Sequence, residues 1–318
     1  KLLKNTLDTL SIPAKIVRRS PWNLPQVVHY MSQFSLIDEN IYKSKHRISV
    51  DYFHGKPEQQ ESFRVCFEGL SKHHSQIVRV RVSNKEMESV IKSSGIDPTK
   101  VRLIHIGVDT KKFTPQTAEK KRLERTRRGI PEEAVVIGSF QKDGTGWGEG
   151  NEPKLIKGPD IFLKVVHRLR RDIPNLYVLL SGPARGFVKK GLEAMGVPYK
   201  HEYLEDPEKV ANLYDALDLY IVASREEGGP KACLDSMAKG VPLVTAAVGQ
   251  CKDLVVDGVN GLIAPIEDVD ALYKKTLEIV KDKALKEQLI KAGIDTARAN
   301  SLVAQTDLWQ EYFKGLVN

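Results

Sequence analysis

Read as a pattern of hydrophobic and polar positions, the second half of the chain alternates between two periods. Short apolar runs bounded by turn residues stand at 134–138 (AVVIG), 176–180 (LYVLL), 219–223 (LYIVA) and 241–245 (VPLVT). Runs of that length predict strands buried on both faces of a parallel sheet. Between them the spacing turns helical. Pro159 opens a stretch in which Ile161, Phe162, Val165, Val166 and Leu169 share one face, and Pro207 opens another carrying Val210, Leu213, Tyr214 and Leu217. Proline suits a first helical turn, where its missing N–H costs nothing. Strand and helix in alternation predict a doubly wound α/β domain.

The first half repeats this less clearly. Strands are expected at 27–30, 48–53, 77–82 and 101–104, and a helix at 2–10 with no strand before it. Doubly wound domains open on a strand and a glycine-bearing turn, so the first strand–helix unit is expected to be missing. Residues 114–129 (TPQTAEKKRLERTRRG) are polar and charged, as a surface connection between domains would be. Residues 301–316 form a helical pattern in which Leu302, Leu308, Trp309, Tyr312 and Phe313 are available to pack. Two domains are also what 318 residues predict, since one core seldom serves a chain of that length.

Charge adds an asymmetry. Up to Arg128 there are 25 Lys and Arg against 13 Asp and Glu; beyond it, 24 against 28. The first half is therefore expected to meet something anionic, such as a membrane surface, a phospholipid or a phosphorylated acceptor, unless its charge is only a solvated face. Nucleic acid is disfavoured, because aromatic residues are not interleaved with the basic ones. No apolar run approaches the length of a membrane span, and no signal peptide opens the chain. The three cysteines, Cys66, Cys233 and Cys251, lie at no metal-site spacing. A cytoplasmic protein, peripheral on the inner face of a membrane if it meets one, is the expectation.

The strongest chemical signal follows the predicted strand 219–223. Glu227 is succeeded by Gly228, Gly229 and Pro230, and Pro230 opens a helix that Gly240 ends. Backbone amides at a helix N-terminus attract anions, and glycines let a phosphate approach. Two carboxylates nearby, Glu227 and Asp235, suit the hydroxyls of a sugar and a ribose. On spacing alone they are equally well read as a loop charge and a helix residue.

The surrounding text decides between these readings. Glu227 and Asp235 stand as in the E-x7-E pattern, flanked by Ala223-Ser224 and by Leu234-Asp235-Ser236-Met237-Ala238-Lys239-Gly240-Val241-Pro242. Residues 257–265 (DGVNGLIAP) and 104–110 (IHIGVDT) follow suit. In these motifs the chain resembles the retaining glycosyltransferases of family 4. The resemblance implies the GT-B fold: two doubly wound Rossmann-like domains facing across a cleft, with a C-terminal helix crossing back to the first. The domains would be 1–115, joined by the helix 301–318, for the acceptor, and 116–300 for the nucleotide-sugar.

The same resemblance implies roles. Glu227 faces the donor sugar, Gly228 and Gly229 approach it with Pro230, and Asp235 binds the ribose, though the family has glutamate there. Lys157, in Lys157-Gly158, matches the phosphate lysine. The partner arginine is absent, since Gly138 is followed by Ser139-Phe140-Gln141-Lys142; Lys142 is the expected replacement and Lys231 a further phosphate candidate. Ser139, Arg185 and Tyr203 are expected donor contacts, and His54, ending the strand 48–53, the first domain's contribution near the reacting sugar. The loop 144–150 (GTGWGEG) does not satisfy G-x-G-x-x-G and is read as a mobile phosphate-side lid tipped by Trp147. Asp268-Val269-Asp270 imitates a metal motif but stands where a helix start favours acids. No metal and no cofactor is expected beyond the nucleotide-diphosphate-sugar donor. The implied reaction is retaining transfer of a sugar to a glycan, lipid or other hydroxyl acceptor. The alternatives are a nucleotide-sugar epimerase and a non-catalytic nucleotide-sugar-binding protein.

Overall fold

The computed structural model describes residues 7–8 and 26–316, and the chain divides into two compact units, Gly107–Ser301 and the remainder. Apart from Leu7 and Asp8, which are helical, the expected helix 2–10 lies outside the described residues.

In the first unit four parallel strands, β1 (Val27–Tyr30), β2 (Arg47–Tyr52), β3 (Ile77–Val82) and β4 (Val101–Leu103), lie in the order β1-β2-β3-β4. Helices α1 (Glu61–Lys72) and α2 (Lys85–Lys92) make the crossovers after β2 and β3. Ile48, Val50, Ile77, Val80 and Val82 are fully buried with Cys66 and Leu70 of α1 and Ile91 of α2. The terminal helix Thr306–Phe313 belongs to this unit, packing Trp309, Tyr312 and Phe313 against Ile104 and Leu7. A buried polar chain ties it to the sheet: the Tyr312 hydroxyl lies 2.7 Å from Ser49 Oγ, which lies 2.9 Å from His29 Nδ1.

The second unit is a six-stranded parallel sheet ordered β10-β9-β8-β5-β6-β7. Its elements run α3 (Ala118–Arg128), β5 (Val135–Phe140), α4 (Pro159–Asp172), β6 (Leu176–Ser181), α5 (Gly186–Met195), β7 (Tyr199–Glu202), α6 (Val210–Tyr214), β8 (Leu219–Val222), α7 (Lys231–Ala238), β9 (Leu243–Ala246), α8 (Cys251–Leu254), β10 (Leu262–Ala264), α9 (Val269–Lys281) and α10 (Lys283–Ala299). The α4 residues expected to share a face are all buried, and β6 and β8 are buried along their whole length. Each such aliphatic side chain is worth about 1.5–3 kcal/mol of burial, so helices on both faces of this sheet dominate the unit's stability.

Two expectations change. Residues 114–129 hold α3, packed within the second unit, where Arg125 donates to the Ala216 carbonyl and to Asp218. Its charges are buried because they are paired, which a surface linker does not require. The Pro207 helix is split into a single 3-10 turn, Pro207–Lys209, and the short α6.

The strand order places the site. The chain leaves β5 toward β6 and β7, then returns to the other side of β5 for β8, β9 and β10. The carboxyl ends of β5 and β8, where the strand order reverses, are where the crevice of an open α/β sheet binds ligands.

Candidate active site at the switch between β5 and β8

Two loops meet there. The one after β8 carries residues 223–230. The one after β5 runs from Gln141 through a hairpin to Lys157 and to Gly158, the N-cap of α4.

Gly158 is left-handed, with φ of 64°, and a Cβ on it would run into the Ala223 carbonyl oxygen. Only glycine lets the start of α4 approach the end of β8 this closely. The Lys157 carbonyl, beside it, accepts from Gln141 Nε2 at 3.1 Å and from Ser224 Oγ at 3.4 Å. With its main chain held, Lys157 places Nζ 2.6 Å from Glu227 Oε2, and Ser224 Oγ donates to Glu227 Oε1 at 3.0 Å. Lysine and carboxylate, 70 residues apart in sequence, are thus brought together half-buried at the crevice.

Arg225 fastens the two loops. Its guanidinium grips Asp160 with two bonds of 2.8 Å, donates to the Leu155 carbonyl at 2.6 Å and reaches Glu267 at 2.5 Å. Its backbone N–H donates to the Ile156 carbonyl at 2.9 Å. The paired guanidinium holds the Asp160 carboxyl below the usual carboxylate range. A third loop supports the glycines: the Gln250 N–H donates to the Gly228 carbonyl at 3.0 Å, and a Cβ on Gly249 would collide with the Glu227 and Gly228 carbonyls. Arg225, Gly249 and Gln250 were not assigned roles on sequence. The glycine closing the turn after the strand 241–245 was the available signal.

Gly228 is buried, Gly229 partly so, and Pro230 caps α7. Lys231 is the exposed first residue of that helix. Asp235, one turn on, is buried, and loss of solvent pushes its carboxyl up to about 7, against the opposing pull of Lys231 and Lys112. A carboxyl held there changes charge near neutrality, unlike an ordinary surface aspartate.

The remaining expected residues divide. Lys142 lies at the crevice side of β5, its ammonium 3.7 Å from the centroid of Trp147. Arg185 has its guanidinium fully buried, 3.0 Å from Asp143, donating to the Ser139 and Ser181 carbonyls and to Ser139 Oγ at 2.6, 2.7 and 3.1 Å. These bonds tie the 139–143 turn to the end of β6. Ser139 is buried with its hydroxyl accepting from Arg185. Tyr203 is exposed just past the edge strand β7, two strands from β5. His54 belongs to the first unit, two residues past β2, partly buried, with its ring against the edges of Phe34 and Phe63.

The loop 144–153 is a hairpin. Its neck is closed by Thr145 N–H to the Glu152 carbonyl at 2.9 Å and Lys154 N–H to the Asp143 carbonyl at 2.7 Å. Its return limb is docked on α5, whose first amides, Gly186 and Phe187, donate to the Glu149 and Gly150 carbonyls at 2.7 and 2.9 Å. Trp147 stands out at the tip, 83% exposed.

Comparison with known proteins bears on the family and the fold. The family model described as Glycosyl transferases group 1 matches residues 153–296, just under half of the chain. D-inositol 3-phosphate glycosyltransferase of Corynebacterium diphtheriae is 25% identical over 296 residues, covering 88% of this chain and 62% of that protein. The protein of the same name from Salinispora arenicola is 28% identical over 227 residues, covering 65% and 48%. The chain therefore spans less than two thirds of the length of these relatives. Among solved structures, Anabaena HepE in complex with UDP-glucose superposes with a TM-score of 0.78 at 17% identity, covering 99% of this chain and 90% of that one. Sucrose-phosphate synthase of Thermosynechococcus elongatus gives 0.73 at 18%, covering 91% and 73%. The fold is the α/β class expected: two parallel-sheet, Rossmann-like units, shared with solved GT-B glycosyltransferases.

Proposed function

We propose that the chain is a glycosyltransferase whose second unit holds a nucleotide-diphosphate-sugar at the β5/β8 crevice. The observation that carries this reading is the Lys157–Glu227 pair at the switch point, beside the Gly228–Gly229 turn and the start of α7. A cation, backbone amides and a carboxylate that can turn to sugar hydroxyls are what a diphosphate-linked sugar requires. The group 1 family match, which takes in Lys157 and Glu227, supports it.

In this account the incoming diphosphate takes over the charge of Lys157, releasing Glu227 to accept hydrogen bonds from the sugar. Asp235 takes the ribose, directly or through a water. The bond between the anomeric carbon and the phosphate oxygen breaks, and the acceptor oxygen bonds to the same face of that carbon, which retains configuration. The acceptor's proton passes to the departing phosphate oxygen. Lysines and helix amides stabilise the charge that grows on that diphosphate, a task that needs no metal ion. His54, and the first unit with it, serve the acceptor side. Its basic balance, and the phosphorylated inositol in the names of the relatives, make an anionic hydroxyl acceptor the first class to test. An acceptor at an anionic membrane surface satisfies the same charge. HepE was solved with UDP-glucose, so UDP-sugars lead among donors.

Replacing Glu227 with alanine tests the catalytic reading. Sugar transfer is expected to fall about 100-fold or more, with nucleotide binding retained. Unchanged turnover would overturn the catalytic role of Glu227, whereas nucleotide-sugar binding with no transfer by the unmodified chain would leave a nucleotide-sugar-binding protein, the reading to which the missing arginine and the aspartate at position 235 lend weight.

A further inference from the structure

The crossover from β1 to its parallel neighbour β2 is made by two 3-10 turns, Gln33–Ile37 and Glu39–Lys43, where such a connection ordinarily holds a helix. A 3-10 turn repeats every three residues, so side chains three apart lie in one row. From Met31 to Ile37 the crossover keeps that period. Gln33 and Leu36 are buried, while Met31, Phe34 and Ile37 are exposed by 56%, 42% and 41%. The buried row is fixed to α1: the Cys66 thiol donates to the Gln33 carbonyl at 3.2 Å, and a Cβ on Gly69 would lie 3.3 Å from the Leu36 carbonyl oxygen. Phe34 is braced by stacking on the buried Phe63, with 5.9 Å between ring centroids. Exposed apolar residues standing singly are ordinary, but three large ones in one row mark a contact surface.

Where the second turn ends, the period changes to two. Tyr42, Ser44 and His46 are buried, and Lys43, Lys45 and Arg47, alternating with them, are exposed. Lys43 donates to the side-chain oxygen of Asn40 at 3.0 Å and Arg47 to the Gly315 carbonyl at 3.3 Å; both partners are neutral, so neither contact cancels a charge. The two acids of the crossover are engaged: Asp38 accepts from the Asn40 N–H at 3.0 Å, and Glu39 lies 3.0 Å from Lys72 of α1.

We infer that this crossover is a docking surface for an anionic lipid bilayer, its row of Met31, Phe34 and Ile37 entering the headgroup region and its row of Lys43, Lys45 and Arg47 meeting lipid phosphates. At such an interface the burial of apolar area and the attraction to anionic lipid add. An acidic polypeptide would engage the cations and has no need of the apolar row, so the pairing of the two rows favours the bilayer. The apolar row also leads to His54, whose ring lies 6.3 Å from that of Phe34. The inference rests on the reading of the first unit as the acceptor side, and it names the acceptor class: an amphiphile presented at a membrane. The docking surface itself lies wholly within the first unit, so its test is separate from that of the donor crevice.

Vesicle flotation tests this on the intact chain, with phosphatidylcholine vesicles made with and without phosphatidylglycerol. Two variants accompany it, Met31→Ser with Ile37→Ser, and Lys43→Gln with Lys45→Gln and Arg47→Gln, each shown to be folded by its melting temperature. The intact chain is expected to float with the anionic vesicles, and less so at high salt. Removing the three cations should weaken binding about 100-fold, and replacing the two apolar residues about 10-fold. No binding by the intact chain, or binding that either variant retains in full, overturns the inference, whatever the donor crevice does. Binding to polyglutamate without binding to vesicles assigns the surface to an acidic protein and overturns it likewise. If vesicle binding holds as expected and no nucleotide-sugar raises the melting temperature of the intact chain, the docking surface stands and its link to a sugar acceptor falls.

Discussion

Asp235 shows how one side chain links stability to binding. Burial raises its carboxyl to about 7, well above the usual aspartate range. The folded chain therefore holds this proton more tightly than the unfolded chain does. Its contribution favours the fold at acid pH and declines as pH rises from about 4 to about 7, by up to roughly 4 kcal/mol. Asp235→Asn, neutral throughout, is expected to lose that slope. Denaturant unfolding at pH 5 and pH 8 should show the variant gaining on the wild type at the higher pH; an equal difference at both values would contradict the burial argument. Glu227 and Lys157 were legible from the sequence because motif and strand-end position coincide there. Arg225 and Gln250 were not, since what places them is a two-toothed grip on Asp160 and a carbonyl contact, neither of which leaves a pattern in one dimension. The burial of Arg185 is not legible in sequence: a buried arginine holding a turn and an arginine facing a ligand look alike there.

At the scale of elements, the loop-to-helix junctions carry the site, and Gly158 is the most constrained of them. Gly158→Ala must take a left-handed backbone and also push its methyl into the Ala223 carbonyl. Gly129, at the end of α3, has a similar φ of 66° but nothing within 4 Å of a built Cβ. Gly129→Ala is expected to cost about 1 kcal/mol, whereas Gly158→Ala should cost about 2 kcal/mol or more and lower the melting temperature by roughly 5 °C. Equal costs would show that close approach to β8 is not what the glycine serves. The four central strands of this unit were visible, because strands covered on both faces read as unbroken apolar runs. The two edge strands were not: β7 is half exposed along Tyr-Lys-His-Glu, and β10 is only three residues long. The helix α3 was taken for a linker because its buried positions include Glu124, Arg125 and Arg128, whose partners lie elsewhere in the chain or within the helix itself. Periodicity counts apolar residues and is blind to buried ion pairs.

At the scale of the whole molecule the two units divide the charge as they divide the elements. The first is basic and carries His54; the second holds Lys157, Glu227 and Asp235 within a nearly neutral surround. No helix among the described residues is long and apolar enough to cross a membrane. If the β5/β8 crevice binds a nucleotide-diphosphate-sugar through Lys157, the donor raises the melting temperature, as any ligand bound only by the folded state does. A thermal-shift panel of UDP-, GDP-, ADP- and CMP-sugars on the intact chain and on Lys157→Ala reads this. At least one diphosphate-linked sugar is expected to raise the melting temperature by several degrees, and Lys157→Ala, itself folded, to remove that rise. No shift with any donor, or a shift that survives in Lys157→Ala, would contradict it.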